Sequence, residues 1–371
     1  MGKNKKIFFL ALFFFLISWA VRLYKIFFIV EKGLLMDFFA YYRKVRSFFS
    51  LEKIELTSAG APIVYLPFLP FSFFSLKTGQ FLITAFSFFS YFFCCFFLYR
   101  RIFKKIDQFF LFYFGLTAFS FPIIFSLGMG NPIGFVVFSC YALFIFRSFF
   151  WRSLVFVLGG ILKVFPFLET VPFIFKKEKR LLKTIVLVFI FFLIVSWLIF
   201  PKTVWFLYLS FLKQKFFLGK KLVDISSYNQ SFASTMARFG VKQDFFSWLF
   251  LIWILLLVGL LVWYFKNLTL KDIFDKIEAG VLMLSFSLLI HPFPWQYYYA
   301  VFLPYLMIKI KKEKSLIWWL IFLLVSLDGK RFFGWPSFIY LFLSSSQFFA
   351  CLLLFLVLVG TKINHNANQR S

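Results

Sequence analysis

Long apolar runs separated by short basic clusters set the pattern of this chain. Ile7 to Val30 is the first run, and others lie near 81–99, 108–126, 132–150, 182–201 and 248–265. Runs of about 17–25 apolar residues are long enough to cross a bilayer as helices. Between them stand Lys3–Lys6, Arg100–Lys105, Lys176–Lys183, Lys266–Lys276 and Lys309–Lys314. Lys and Arg concentrate on the cytoplasmic side of membrane helices, so the five clusters predict one cytoplasmic face. The expected fold is therefore all-α: a polytopic helical bundle over residues 1–371, with no appended soluble domain and no evident repeat. The basic start and the apolar run behind it imitate a signal peptide. No small-residue cleavage site follows, and Arg22 and Lys25 interrupt the far end, which predicts an uncleaved first helix.

Two longer polar stretches, 31–62 and 202–245, are expected outside as loops, and 361–371 as a cytoplasmic tail. Two segments do not read as simple spans. Ile63–Leu76 contains Pro67 and Pro70 and is too short and kinked to cross, so a re-entrant or interfacial helix is expected. Ser153–Phe175 carries Lys163, Pro166, Glu169 and Pro172, yet is basic on both flanks. A hairpin broken around Lys163–Pro166 satisfies both, and such breaks are tolerated where they line a cavity or bury against protein. With four shorter spans between 279 and 360, the expectation is about ten full spans and two partial ones, or about twelve if both cross.

Composition closes off other classes. The 371 residues are 62% hydrophobic and 26% aromatic, with 68 Phe, and mean hydropathy is +0.90. No single soluble core buries that much apolar sequence. The net charge of +27 is spread over clusters between spans rather than along one face, so no nucleic-acid partner is expected. Cys94, Cys95, Cys140 and Cys351 all sit in apolar runs without metal-ligand spacing and read as packed small hydrophobes. No metal or cofactor is expected, and the lack of a nucleotide-binding fingerprint argues against a nucleotide-sugar donor.

Candidate chemistry gathers on the outer side. Asp37, one of only 14 acidic residues, lies where the first span meets water. A carboxylate there costs free energy unless solvated, paired or used; the alternative is a residue that snorkels or caps a helix. Tyr41, Tyr42, Asn131, Asn229, Gln230, Arg238, His291, Trp295 and Gln296 fall on the same side, and Lys163 lies partway down the broken hairpin. Asn229–Ser231 also matches a glycosylation sequon. The tyrosines around His291–Tyr299 could form an ordinary aromatic belt, but a histidine wedged at a proline-broken turn points to function. Amides and carboxylates bind hydroxyls, and aromatic faces pack on sugar rings. Arg238 suits phosphate as a bidentate fork and Lys163 as a point charge. Sugar and phosphate together at a membrane surface indicate a polyprenyl-phosphate-linked sugar, with the bilayer as a further partner. A multi-span transporter or flippase is the alternative, although its ionisable residues belong near the mid-bilayer in paired repeats.

The order Asp37-Phe-x-x-Tyr-Tyr42, Tyr65-x-Pro67, Gly130-Asn131-Pro132, Gly160-x-x-Lys163-x-x-Pro166, Asn229-Gln-Ser…Arg238 and Pro292-x-x-Trp295-x-x-Tyr298-Tyr299 resembles glycosyltransferase family 87. This GT-C-type family includes polyprenol-phosphate-mannose-dependent α-mannosyltransferases, and the chain is more distantly similar to GPI mannosyltransferases. It departs from the family's usual Tyr-Pro-Pro at Leu66, and from its Gly-Gln at Asn131. Family members often carry Ser or Asp where this chain has Phe293, Pro294 and Gln296. The resemblance implies inverting transfer of a hexosyl unit, expected to be mannosyl, from a polyprenyl-phosphate sugar to a glycolipid or glycan hydroxyl. Asp37 would be the general base, and Arg238, Lys163 and His291 would contact phosphate. Tyr41, Tyr42, Asn131, Asn229, Gln230, Trp295 and Gln296 would bind sugar or acceptor. It also implies a bacterial plasma-membrane protein with its site facing outside.

Overall fold

A computed structural model describes residues 3–29, 36–50, 61–218, 228–242, 245–266, 268, 272–328 and 337–367. Parts of both expected outer loops, of the basic cluster at 266–276 and of the tail lie outside the described residues. The described helices run α1 Lys3–Tyr24, α2 Met36–Phe49, α3 Leu69–Ser72, α4 Leu76–Phe103, α5 Gln108–Thr117 and α6 Phe121–Gly128. Next come α7 Ile133–Ile145, α8 Phe149–Leu162, α9 Val171–Phe175, α10 Lys179–Ile199, α11 Lys202–Leu218 and α12 Phe232–Arg238. The chain continues as α13 Phe246–Lys266, α14 Ile273–Ile290, α15 Leu303–Glu313, α16 Leu316–Ser326, α17 Ser337–Ser344 and α18 Ser346–Ala367. The described structure is an all-α membrane-type bundle, as expected.

Among the described residues, four stretches are long and apolar enough to cross a bilayer: Lys5–Phe27, α4, α10 and α13. The count reaches six if α5 with α6, bent by 58°, and Phe338–Ser344 with Ser346–Thr361, bent by 67°, each act as one broken span. The expected count of ten or more is thus not reached by length. Many of the remaining apolar runs are divided by proline and by short turns into helices too short to cross alone. Both expected outer loops also hold helices, α2 in the first and α11 and α12 in the second, and α18 continues through Ala367 into the expected tail. Large apolar side chains such as Phe13 on α1, Phe191 on α10 and Leu255 on α13 remain exposed. Faces of that kind belong against lipid.

The bundle has two chemically different ends. At one, Lys311 meets Asp107 and Tyr99, Lys309 meets Glu278 and Glu313, and Lys276 pairs with Glu178 at 2.7 Å. Basic clusters far apart in sequence are thereby brought together. From that end α8 and α14 run to Leu162 and Ile290, whereas α4 and α7 run toward it from Leu76 and Ile133. Lys163, His291 and the turn before α7 therefore lie at the opposite end.

Between α4, α7 and α8 the packing depends on small residues. In lipid there is no hydrophobic drive to bring helices together, so close backbone approach supplies much of the attraction. A Cβ on Gly134 would lie 1.9 Å from the carbonyl oxygen of Ser87, and one on Gly159 would lie 1.7 Å from Ser139 Oγ. The Gly134 amide also donates to Ser87 Oγ at 3.0 Å. Gly134→Ala must push α4 and α7 apart, an overpacking cost of roughly 1–3 kcal/mol. Gly259, with open space around its Cβ position, is the control. Circular-dichroism melting in detergent is expected to show a lowered midpoint for Gly134→Ala and no loss for Gly259→Ala.

Candidate active site

The first turn of α2 carries Asp37, where the positive end of the helix dipole favours a carboxylate. Along α2, Phe38, Tyr42, Val45 and Phe48 are buried, whereas Asp37, Tyr41 and Lys44 form a half-buried stripe. The turn before α7 docks on this first turn. Gly130 holds φ +64, and a Cβ there would come within 2.7 Å of Phe38 Cβ, so this position needs glycine both for its backbone and for its space. The Phe38 amide donates to the Met129 carbonyl at 3.3 Å. One residue on, Asn131 Nδ2 donates to Asp37 Oδ2 at 2.7 Å. Asn131 is itself fixed, because Ser87 Oγ donates to its carbonyl at 3.1 Å. A buried amide thus fixes the orientation of the half-buried carboxylate.

One helical turn beyond Asp37, Tyr41 stacks on Phe68 with centroids 4.2 Å apart and planes 8° from parallel. Phe68 ends the 3-10 turn Pro62–Phe68, which also presents Tyr65 against Tyr41 at 5.9 Å. Tyr42 faces inward, donating to the Phe74 carbonyl at 2.9 Å and accepting from Arg46 at 3.0 Å.

The hairpin break expected around Lys163 is present: α8 stops at Leu162, and a 3-10 turn begins at Phe165. Lys163 Nζ lies 5.1 Å from the Tyr298 ring centroid and 5.6 Å from that of Tyr297, within cation–π range. It also interacts electrostatically with Tyr41 and Asp37. The ion pairs of the described residues lie at the other end of the bundle, so this lysine and this carboxylate act on one another through space without forming an ion pair.

His291 stands in the turn beyond α14, with its ring edge-on to Tyr298 at 5.8 Å. Its Nδ1 accepts from the Phe293 amide at 3.0 Å, which assigns the ring proton to Nε2. Burial, followed by the Lys163 ammonium, pushes the imidazole down to about 4. The ring is therefore a neutral hydrogen-bond donor at physiological pH rather than a cation. His291→Ala is expected to reduce turnover by about 10–100-fold, the worth of a hydrogen bond to a charged group. Because the ring stays neutral above about pH 5, the ratio of wild-type to variant rate should hold constant from pH 5.5 to 8.5. A ratio that varies severalfold near pH 6.5 would contradict the neutral assignment.

The remaining candidates build walls. Asn229 bridges to Trp295 in antiparallel fashion, Gln230 N donates to the Pro294 carbonyl at 3.0 Å, and Gln296 N to the Tyr228 carbonyl at 3.0 Å. The Gln230 side chain is fully buried, donating to the Ser344 carbonyl at 2.7 Å and accepting from the Phe348 amide at 3.2 Å. Asn229 and Gln296 are buried too, and Asn229 Oδ1 accepts from the Ser231 amide at 3.0 Å. Arg238 donates to the Asn229 carbonyl at 2.8 Å, Ser345 Oγ at 3.0 Å and Thr235 Oγ1 at 3.2 Å. That guanidinium braces the wall segment.

The candidates therefore separate by exposure. Asp37, Tyr41, Lys163, Arg238, His291 and Trp295 are half-buried, while Tyr42, Asn131, Asn229, Gln230 and Gln296 are buried. Sequence reasoning missed Tyr297 and Tyr298 as the faces beneath Lys163, and Phe68 as the platform for Tyr41. The tyrosine run at 297–299 was the available signal for the first two; Phe68 had none among so many phenylalanines.

The profile of glycosyltransferase family 87 matches residues 61–292, more than half of the chain. The matched span contains Asn131, Lys163, Arg238 and His291, whereas Asp37 precedes it and Trp295 follows it. No curated protein and no solved structure matches. With its apolar helical bundle and this match, the chain belongs to glycosyltransferase family 87.

Proposed function

We propose that the protein transfers a hexosyl unit, expected to be mannosyl, from a polyprenyl-phosphate sugar to a hydroxyl of a glycolipid or glycan on the extracytoplasmic face of a bacterial plasma membrane. The observation that carries this reading is the grouping of Asp37, held by Asn131, with Lys163 over its two tyrosines. The acceptor oxygen attacks the anomeric carbon while Asp37 takes its proton. The bond from that carbon to the phosphate oxygen breaks on the opposite face, and the leaving phosphate gains negative charge beside Lys163. One displacement with one basic carboxylate inverts the anomeric centre. His291 Nε2–H donates to phosphate or acceptor, and Tyr41 and Trp295 supply faces for sugar rings. Tyr42, Asn131, Asn229, Gln230 and Gln296 shape the site from within, and Arg238 acts on it through Asn229.

The basic end of the bundle is the cytoplasmic face in this reading, which directs the Asp37 end outward. Purified protein given radiolabelled polyprenyl-phosphate mannose and membrane lipids should yield a labelled glycolipid. If polyprenyl-phosphate donors of mannose and other sugars all give no product, while the protein moves a lipid-linked sugar across vesicles, transport replaces transfer.

A further inference from the structure

At the basic end of the bundle, far from Asp37, the cations fall into two kinds. Lys276, Lys309 and Lys311 each meet a carboxylate. Arg101, Arg147, Arg152 and Arg180 form no ion pair among the described residues, yet they converge on the turn between α7 and α8. Arg101, in the last turn of α4, donates to the Ile145 carbonyl at 3.0 Å. Arg152 Nε donates to the next carbonyl, that of Phe146, at 2.6 Å. The guanidinium carbons of Arg152 and Arg180 lie 5.7 and 5.1 Å from the centroid of one ring, Phe149. Arg147 acts electrostatically on Arg101, and Arg101 on Arg152. Glu178 also reaches Arg152 through space, but Lys276 engages its carboxylate at 2.7 Å. Like charges gathered in this way repel, and Arg101 and Arg152 keep further N–H donors beyond those spent on the backbone.

We propose that these four arginines bind the phosphate headgroup of an anionic phospholipid in the leaflet that meets this end of the bundle. The charge selects an anion, and planar guanidinium forks suit the paired oxygens of a phosphate. The surroundings select a lipid over a soluble phosphate. Phe150 and Trp151 follow Phe149 in the first turn of α8, and each is 53% exposed. Apolar faces and tryptophan rings at the end of a membrane bundle belong at the lipid interface. A zwitterionic headgroup would bring a further cation to a place already crowded with them, so net negative charge is part of the recognition. Basic pockets between membrane helices take anionic headgroups in this way. The bound headgroup ties the end of α4 and the start of α10 to the turn that opens α8. That helix ends beside Lys163, so the lipid holds the far end of an element that carries a site residue.

The test uses the full-length protein in detergent and a fluorescent phosphatidylglycerol whose binding is followed by anisotropy. Arg147→Gln combined with Arg180→Gln removes two exposed cations and should weaken binding roughly 30-fold, at the usual worth of a basic residue beside an anionic headgroup. Lys312→Gln combined with Lys314→Gln removes the same charge from the same end but outside the cluster. Solvent screening should hold its effect within about twofold. Unlabelled phosphatidylglycerol should displace the probe, whereas phosphatidylcholine and millimolar inorganic phosphate should not. Equal loss in the two double variants would reduce the effect to general surface charge and overturn the site, as would equal displacement by phosphatidylcholine. Displacement by inorganic phosphate would assign the cluster to a soluble anion and overturn the lipid. If the arginine variant does not fold, wild-type protein and a phosphatidylglycerol with a diazirine in its headgroup decide instead. Labelling is expected on peptides containing Phe149–Arg152, and labelling confined to other segments overturns the proposal.

Discussion

Asp37→Asn is expected to lower turnover by about 10²–10⁴-fold, the contribution of a positioned general base. Asparagine keeps the shape of the carboxylate and can still meet the Asn131 amide through its own oxygen, so the protein should fold. In the proposed reaction it could not take the acceptor's proton as the new glycosidic bond forms. The readout is transfer from radiolabelled polyprenyl-phosphate mannose by wild type and variant in parallel, with melting curves as the control for folding. Asn131→Ala should fall between them: the base remains, but its 2.7 Å anchor is gone and the carboxylate samples orientations that do not reach the acceptor. If Asp37→Asn transfers sugar at the wild-type rate, Asp37 is a helix-end residue and another group takes the proton.

Lys163→Met carries the second large effect. The thioether fills most of the space but removes the positive charge that would face the phosphate in the proposed reaction, and loss of one such stabilising group costs about 10²–10³-fold. The loss should appear in kcat/KM for the lipid donor. Binding of an uncharged acceptor analogue should change little. Lys163→Arg keeps the charge and can stack on the two tyrosine rings now 5.1 and 5.6 Å from the ammonium, but its fork sets the charge at a different point, so only part of the rate is expected to return. Full activity in Lys163→Met would transfer the phosphate role to another cation, with Arg238 the first to examine despite its hydrogen bonds to Asn229, Thr235 and Ser345.

The site was unevenly legible in the sequence. Asp37 and Lys163 stood out because a carboxylate or an ammonium near hydrocarbon is rare and costly, so each is conspicuous by type alone. The proline-broken turn at His291 was visible for a related reason, since two prolines end helices on either side of it. Buried amides carry no such signal. Asn131 and Gln230 look alike as sequence, yet Asn131 donates to Asp37 while Gln230 is spent on the backbone of 344 and 348. Which of them meets the site depends on segments about a hundred residues apart.

Periodicity and charge by themselves determined that the chain is a helical membrane protein, where its basic clusters lie, and where the hairpin breaks at Lys163, because these follow from local hydropathy, proline stops and desolvation cost. Tertiary structure alone decided the number of helices long enough to span among the described residues, the helices within the expected outer loops, and the division of the candidates into half-buried and buried groups. Those outcomes depend on which backbones approach closely, as Gly134 does against Ser87 and Gly130 against Phe38. A glycine in the sequence does not name the surface it allows to come near.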